Sequence, residues 1–189
     1  MRPPMEPFRA FAECDTSAMR WVRSTSDRHE FDLRSGELLL ARLVFAGSVG
    51  SLARAELWEA QWTLKRGGFL QPHVTVRGAE GTEVARLSAH LTGGILTTPA
   101  GRSFRFHRTG LLVPAWQFYD AAGRAVVHVE PVSERGRLQG GLVQTDPSMT
   151  KAPELPAMTI TGWYFIVLAW LEDEAVHAAQ AVLQAASNP

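Results

Sequence analysis

Between His29 and Gln144 apolar and polar positions alternate in short runs broken by glycine-containing turns, the period-2 signature of half-buried antiparallel strands. Val74 and Val76 alternate with Thr75 and Arg77, and Trp62 and Leu64 with Thr63 and Lys65. Phe104 and Phe106 alternate with Ser103, Arg105 and His107. One side of each run therefore faces a core and the other, charged side faces water. Ser35-Gly36, Glu80-Gly81, Ala100-Gly101 and Ala122-Gly123 stand where tight turns belong. The pattern predicts about eight to ten strands.

The pattern changes near the C-terminus. From Leu155 to Leu171 the chain carries no charge, and from Trp163 onward large apolar groups occupy every helical face. Pro156 suits the first helical turn, where its missing N–H has no intrahelical partner to lose. Such a helix has to be surrounded. A bilayer crossing needs about 20 apolar residues, and Glu172-Asp173-Glu174 interrupt this run before that length. No Lys or Arg cluster flanks it to set an orientation. The expected surroundings are protein. From Ala175 to Ala186 the positions Val176, Ala179, Val182, Leu183 and Ala186 keep helical spacing, and this amphipathic stripe is expected to pack against the outside of the sheet or over a barrel mouth.

A sheet of this many strands must curl, and the helix needs an enclosed site. The predicted fold is mainly β: a closed antiparallel barrel around the C-terminal apolar helix. Residues 1–27 are expected to form a partly helical or irregular extension. Residues 28–189 are expected to form the barrel, with its central helix at 156–171 and an amphipathic tail at 172–187.

That combination resembles the tubby C-terminal-like superfamily of tubby proteins, phospholipid scramblases and plant LURP-one-related proteins. The residues that carry the resemblance are the text from Trp62 to Arg77, which runs Trp-Thr-Leu-Lys-Arg-Gly-Gly-Phe-Leu-Gln-Pro-His-Val-Thr-Val-Arg, and the closing Gly162-Trp-Tyr-Phe. The resemblance extends over 31–186. It implies a barrel of about twelve strands with the hydrophobic helix threaded through its centre. Members of the group are associated with phosphoinositide binding, lipid movement or no known activity. No family ligand residue aligns with a position in this chain, so lipid binding enters as an analogy of fold.

Composition narrows the functional classes. Of 189 residues, 46% are apolar and 20% charged, with 19 cations against 19 anions, so neither a disordered chain nor a basic nucleic-acid binder is indicated. The N-terminal Met1-Arg2-Pro3-Pro4-Met5-Glu6-Pro7 has no apolar stretch of the secretory kind. Cys14 is the only cysteine, which excludes an internal disulfide and suits a reducing, cytoplasmic setting. Its acidic neighbours Glu13 and Asp15 disfavour the thiolate.

His29, His73, His90, His107, His128 and His177 show no metal-ligand spacing, and His128 beside Glu130 is the strongest polar candidate among them. Gly47-Ser-Val-Gly-Ser misses the nucleophile elbow and reads as a loop. The expectation is therefore a chain without catalytic residues, bound metal or organic cofactor.

The most suggestive polar group is cationic: Lys65 and Arg66 before Gly67-Gly68, then Arg77, Arg86, Arg102, Arg105, His107 and Arg108. Lys65, Arg66, Arg105 and Arg108 are the positions expected to hold an anion, because arginine presents a forked donor that matches phosphate oxygens. Trp58, Trp62 and Trp116 offer either a lipid-contacting rim or core. Two functions stay open. One is a non-enzymatic binding module for anionic lipid headgroups or phosphorylated ligands, peripheral to a membrane. The other is a structural or protein-interaction domain with a filled barrel, which binds a protein partner or itself.

Overall fold

The computed structural model describes residues 7–24, 29–47, 50–68, 73–90, 93–110, 115–134 and 137–187. Met1 to Glu6 and positions 48 and 49 of the loop at Gly47 lie outside the described residues.

Twelve strands follow one another: β1 (Ala18–Arg23), β2 (Glu30–Ser35), β3 (Leu38–Phe45), β4 (Ala53–Leu57), β5 (Ala60–Gly67), β6 (His73–Gly78), β7 (Glu83–His90), β8 (Gly93–Thr97), β9 (Ser103–Thr109), β10 (Ala115–Tyr119), β11 (Ala125–Glu134) and β12 (Arg137–Thr145). Each pairs antiparallel with its sequence neighbour, and β1 closes the barrel on β12, with Ala18 opposite Gln144 and Trp21 opposite Gly141. The closed barrel that the alternation predicts is present, with more strands than the pattern counts. Closure leaves no unpaired edge.

The boundary at residue 28 is corrected. β1 lies inside the stretch read as an extension, so the barrel begins at Ala18. Met19 and Trp21 point into the core while Ala18, Arg20 and Val22 remain exposed. That is the same alternation as elsewhere, in a single short run. Ahead of it, a 3-10 turn at Phe11–Glu13 buries Phe11, the Arg9 amide donates to the Leu39 carbonyl, and the Ser35 hydroxyl donates to the Asp15 carbonyl. These contacts strap residues 9–16 over the end of the barrel where the helix enters.

One helix, α1 (Leu155–Ser187), covers both the central and the tail segments. Four consecutive residues of α1 meet different walls. Gly162 faces Phe118 of β10 and Val129 of β11 so closely that a Cβ would lie 2.9 Å from Val129 Cγ2. Trp163 stacks on Trp21 of β1 at 5.6 Å and meets the Phe31 ring of β2 at 5.3 Å. Tyr164 stacks on Phe45 of β3, and Phe165 lies against Phe106 of β9 and Trp116 of β10. A helix that meets β1, β2, β3, β9, β10 and β11 in turn, and shares one buried cluster with residues of all twelve strands, occupies the lumen. Its buried threonine hydroxyls are satisfied locally, since Thr159 donates to the Leu155 carbonyl and Thr161 to that of Ala157.

At the entry the Glu154 carboxylate is 5% exposed and pairs with Arg102 at 2.8 Å, just before the first turn of a helix whose N-terminus favours negative charge. The span Leu155–Gln180 is long and apolar enough to cross a membrane, and 72% of its most apolar window is buried inside the fold.

Beyond Leu171 the helix leaves the barrel, and this overturns the expectation that the tail packs on the sheet. Most described side chains from Glu172 onward are exposed, including Val176 at 54%, and only Glu174 is half-buried. The physical reason is continuity. No glycine or proline interrupts 163–187, so the segment keeps the direction of the barrel axis and runs outward for about 24 Å. The side chains of Val182 and Ala186 lie outside the described set.

Candidate anion-binding face and the barrel mouth

The four expected anion-binding residues do not form one site. On β5 the lumen side carries Trp62, Leu64 and Arg66, and the outer side Thr63 and Lys65. Lys65 and Arg66 are therefore on opposite faces. Arg66 stands at the mouth where α1 emerges, and its Nη2 donates to Glu172 Oε1 at 2.5 Å. Beside it the Tyr164 hydroxyl donates to the Ser51 carbonyl, and burial pushes that phenol up to about 12. Arg66 and Ser51 border a shallow cavity of about 260 Å³ walled by Leu168, Leu171 and Ala175. Arg66 fastens the helix exit to the rim.

On β9, Arg108 follows the lumen-side Phe104 and Phe106 at the same mouth, whereas Arg105 projects outward between Ile95 and Tyr119. β9 lies four strands from β5 in the barrel order, about 19 Å along the sheet. A single phosphate cannot bridge that gap. Local alternation hides it, because it gives the face of each residue and says nothing of how far round the barrel two strands lie.

A compact cationic group does form, on the outer face of β4 to β7. Register places Arg54, Thr63 and Arg77 side by side on β4, β5 and β6. The next row sets Lys65, Thr75 and Arg86 on β5, β6 and β7. Arg54, Lys65, Arg77 and Arg86 are all exposed. Arg86 is held by Glu83 at 2.9 Å, while Arg54, Lys65 and Arg77 have no ion-pair partner among the described residues. Arg54 and Arg77 are two strands apart, about 10 Å between backbones, which long side chains close around one anion. The threonines between them add hydroxyl donors. The exposed Leu52 and Ile95 flank the group. Arg54 escapes the sequence reading because its neighbours Ala53 and Ala55 give a weak apolar rhythm.

The remaining candidates carry no catalytic geometry. Burial and Glu13 push the Cys14 thiol up, away from the nucleophilic form. His128 Nε2 lies 3.7 Å from Glu130 Oε2, and His107 rests its edge on the Tyr119 ring. Among the described residues no group of His, Cys, Asp or Glu is placed to hold a metal. The tryptophans form no common rim: Trp58 is 46% exposed at a turn, Trp62 packs partly buried on the core and Trp116 is buried. Comparison with family models, curated proteins and solved structures finds no match.

Proposed function

We propose that the chain is a non-enzymatic binding module that holds a phosphorylated or anionic group, such as an anionic lipid headgroup, on the outer face of β4 to β7. Its setting in this proposal is the cytoplasm, peripheral to a membrane. The observation that carries the reading is the convergence on adjacent strands of Arg54, Lys65 and Arg77, three exposed cations with no ion-pair partner among the described residues. A lumen filled by Trp163, Tyr164 and Phe165 directs any ligand to the surface. The proposed kinship with the tubby C-terminal-like superfamily is supported by the twelve-strand barrel around a helix, the shape that the resemblance implies.

Sedimentation with vesicles tests the function. Wild type is expected to bind vesicles containing anionic or phosphoinositide lipid, to ignore neutral ones, and to be released as salt rises, since screening acts over about 8 to 10 Å at ordinary ionic strength. The Arg54→Ala, Arg77→Ala pair should lose binding and keep its thermal stability, because both side chains are exposed. Equal behaviour on both vesicle types would refute the proposal.

The projecting tail favours a second reading, a protein-interaction domain that binds a partner or itself.

A further inference from the structure

Five hairpin turns close the end of the barrel where α1 enters. In four of them a glycine occupies the left-handed position: Gly36, Gly81, Gly101 and Gly123, with φ between 57° and 79°. The fifth, between Leu57 of β4 and Ala60 of β5, is made by Trp58 and Glu59, and Glu59 takes φ 53°. An L side chain is strained in that conformation and glycine is not. The chain thus keeps a carboxylate where its other turns at this end use glycine.

The carboxylate borders an open cavity of about 420 Å³. One wall is apolar, built from Phe8, Leu57, Ala60 and Ala79, and the other carries Glu56, Glu59 and Gln61. No cation lines it. Arg42 stands across from Glu56 in register, but its guanidinium is engaged by Asp32 at 2.7 Å and Glu30 at 3.2 Å. Arg54 lies two residues before Glu56, about 7 Å along the strand, so negative charge is strongest on the turn side, at Glu59.

We propose that this cavity binds an alkylammonium or guanidinium group carried on an aliphatic chain, the chemistry shared by a lysine or arginine side chain and a free polyamine. The apolar wall takes the methylene stem and the carboxylates take the charged head, with Gln61 as a further acceptor. This site adjoins the cationic face at Arg54 and is of opposite sign.

Titration followed by amide NMR tests it with three probes: 1,5-diaminopentane, a blocked Ala-Lys-Ala peptide, and 1,5-pentanediol as the uncharged control. The expected result is saturable shifts at Gln61 and Ala79 with the diamine, the peptide or both, and none with the diol. Preference between diamine and peptide identifies the source of the amine. Glu59→Gln should weaken binding about tenfold by removing a charge-assisted hydrogen bond. Glu59→Gly should weaken it equally while raising Tm by about 2 °C, because it relieves the left-handed residue. A ligand role and a folding role are thereby separated. Shifts as large with the diol, no shifts with either amine, or undiminished binding in Glu59→Gln would overturn the proposal.

Discussion

At the scale of single residues, the lumen is decided by where the backbone comes closest. Gly141 of β12 has no side chain because the Trp163 ring fills the place that a Cβ would take, with the Glu130 carbonyl 2.7 Å from the same point. The backbone oxygen cannot move without breaking the ladder between β11 and β12, and the ring is clamped between Trp21 and Phe31. Gly141→Ala is therefore expected to destabilise by about 1 to 3 kcal/mol, as overpacking of a dense core does. Thermal unfolding followed by tryptophan fluorescence should place its Tm about 3 to 10 °C below wild type. An unchanged Tm would mean that Trp163 does not lie against β12. The indole N–H groups of Trp21 and Trp163 are both buried without an acceptor among the described residues, so among these this stack is held by its packing and not by hydrogen bonds.

At the scale of elements, α1 has two halves with opposite surroundings, and they should respond oppositely to truncation. Ending the chain after Leu171 removes mostly exposed side chains and the Glu172 partner of Arg66. An exposed pair of that kind contributes at most about 1 kcal/mol, so circular dichroism should still show a folded barrel with a cooperative melt. Ending it before Leu155 empties the lumen of Trp163, Tyr164, Ile166 and Val167, each worth about 1.5 to 3 kcal/mol of burial, and should leave an unfolded chain. A folded product of the second truncation would contradict the central placement of the helix.

The buried half was legible in the sequence because an uncharged run with bulky groups on every face has only two surroundings, lipid or protein; length does not separate the two, since Leu155–Gln180 is long enough to span, and burial of 72% of its most apolar window inside the fold does. The tail was not, since an apolar stripe records an amphipathic pattern and not whether anything covers it. Phe165 and Trp170 are only half-buried for a related reason, as they lie toward the open mouth, where the Arg23 guanidinium covers the Trp170 ring at 4.8 Å. The cationic site was legible in part. Residue type and parity picked out Lys65, and register between strands, which no local pattern contains, was needed to bring Arg54 and Arg77 beside it.

At the scale of the whole molecule, pH dependence follows from groups that hold different parts of the barrel. Asp120 and Asp146 accept backbone hydrogen bonds in turns, as Asp15 does, and their carboxyls sit below the usual carboxylate range: side-chain and backbone bonding to Ser17 lowers Asp15, bonding by Arg124 lowers Asp120, and Ser148 lowers Asp146. A depressed folded value means that the unfolded chain takes up protons first, so the stability from these groups is present above about pH 4 and is lost as pH falls below it. Tyr164 works in the other direction. Its folded value is about 12, raised by burial against an unfolded value near 10. The unfolded chain therefore loses the proton first, and stability is intact below about pH 10 and declines between about 10 and 12. The phenol bonds the Ser51 carbonyl at the helix exit, so its ionisation would strain the contact between α1 and the β3–β4 connection. Tyr164→Phe is expected to unfold more easily at neutral pH, by roughly 1 kcal/mol for the lost hydrogen bond, yet to show a flatter alkaline limb because the titrating group is gone. Urea midpoints measured from pH 7 to 11.5 for both proteins check this, and an alkaline decline as steep in Tyr164→Phe as in wild type would assign it to other groups.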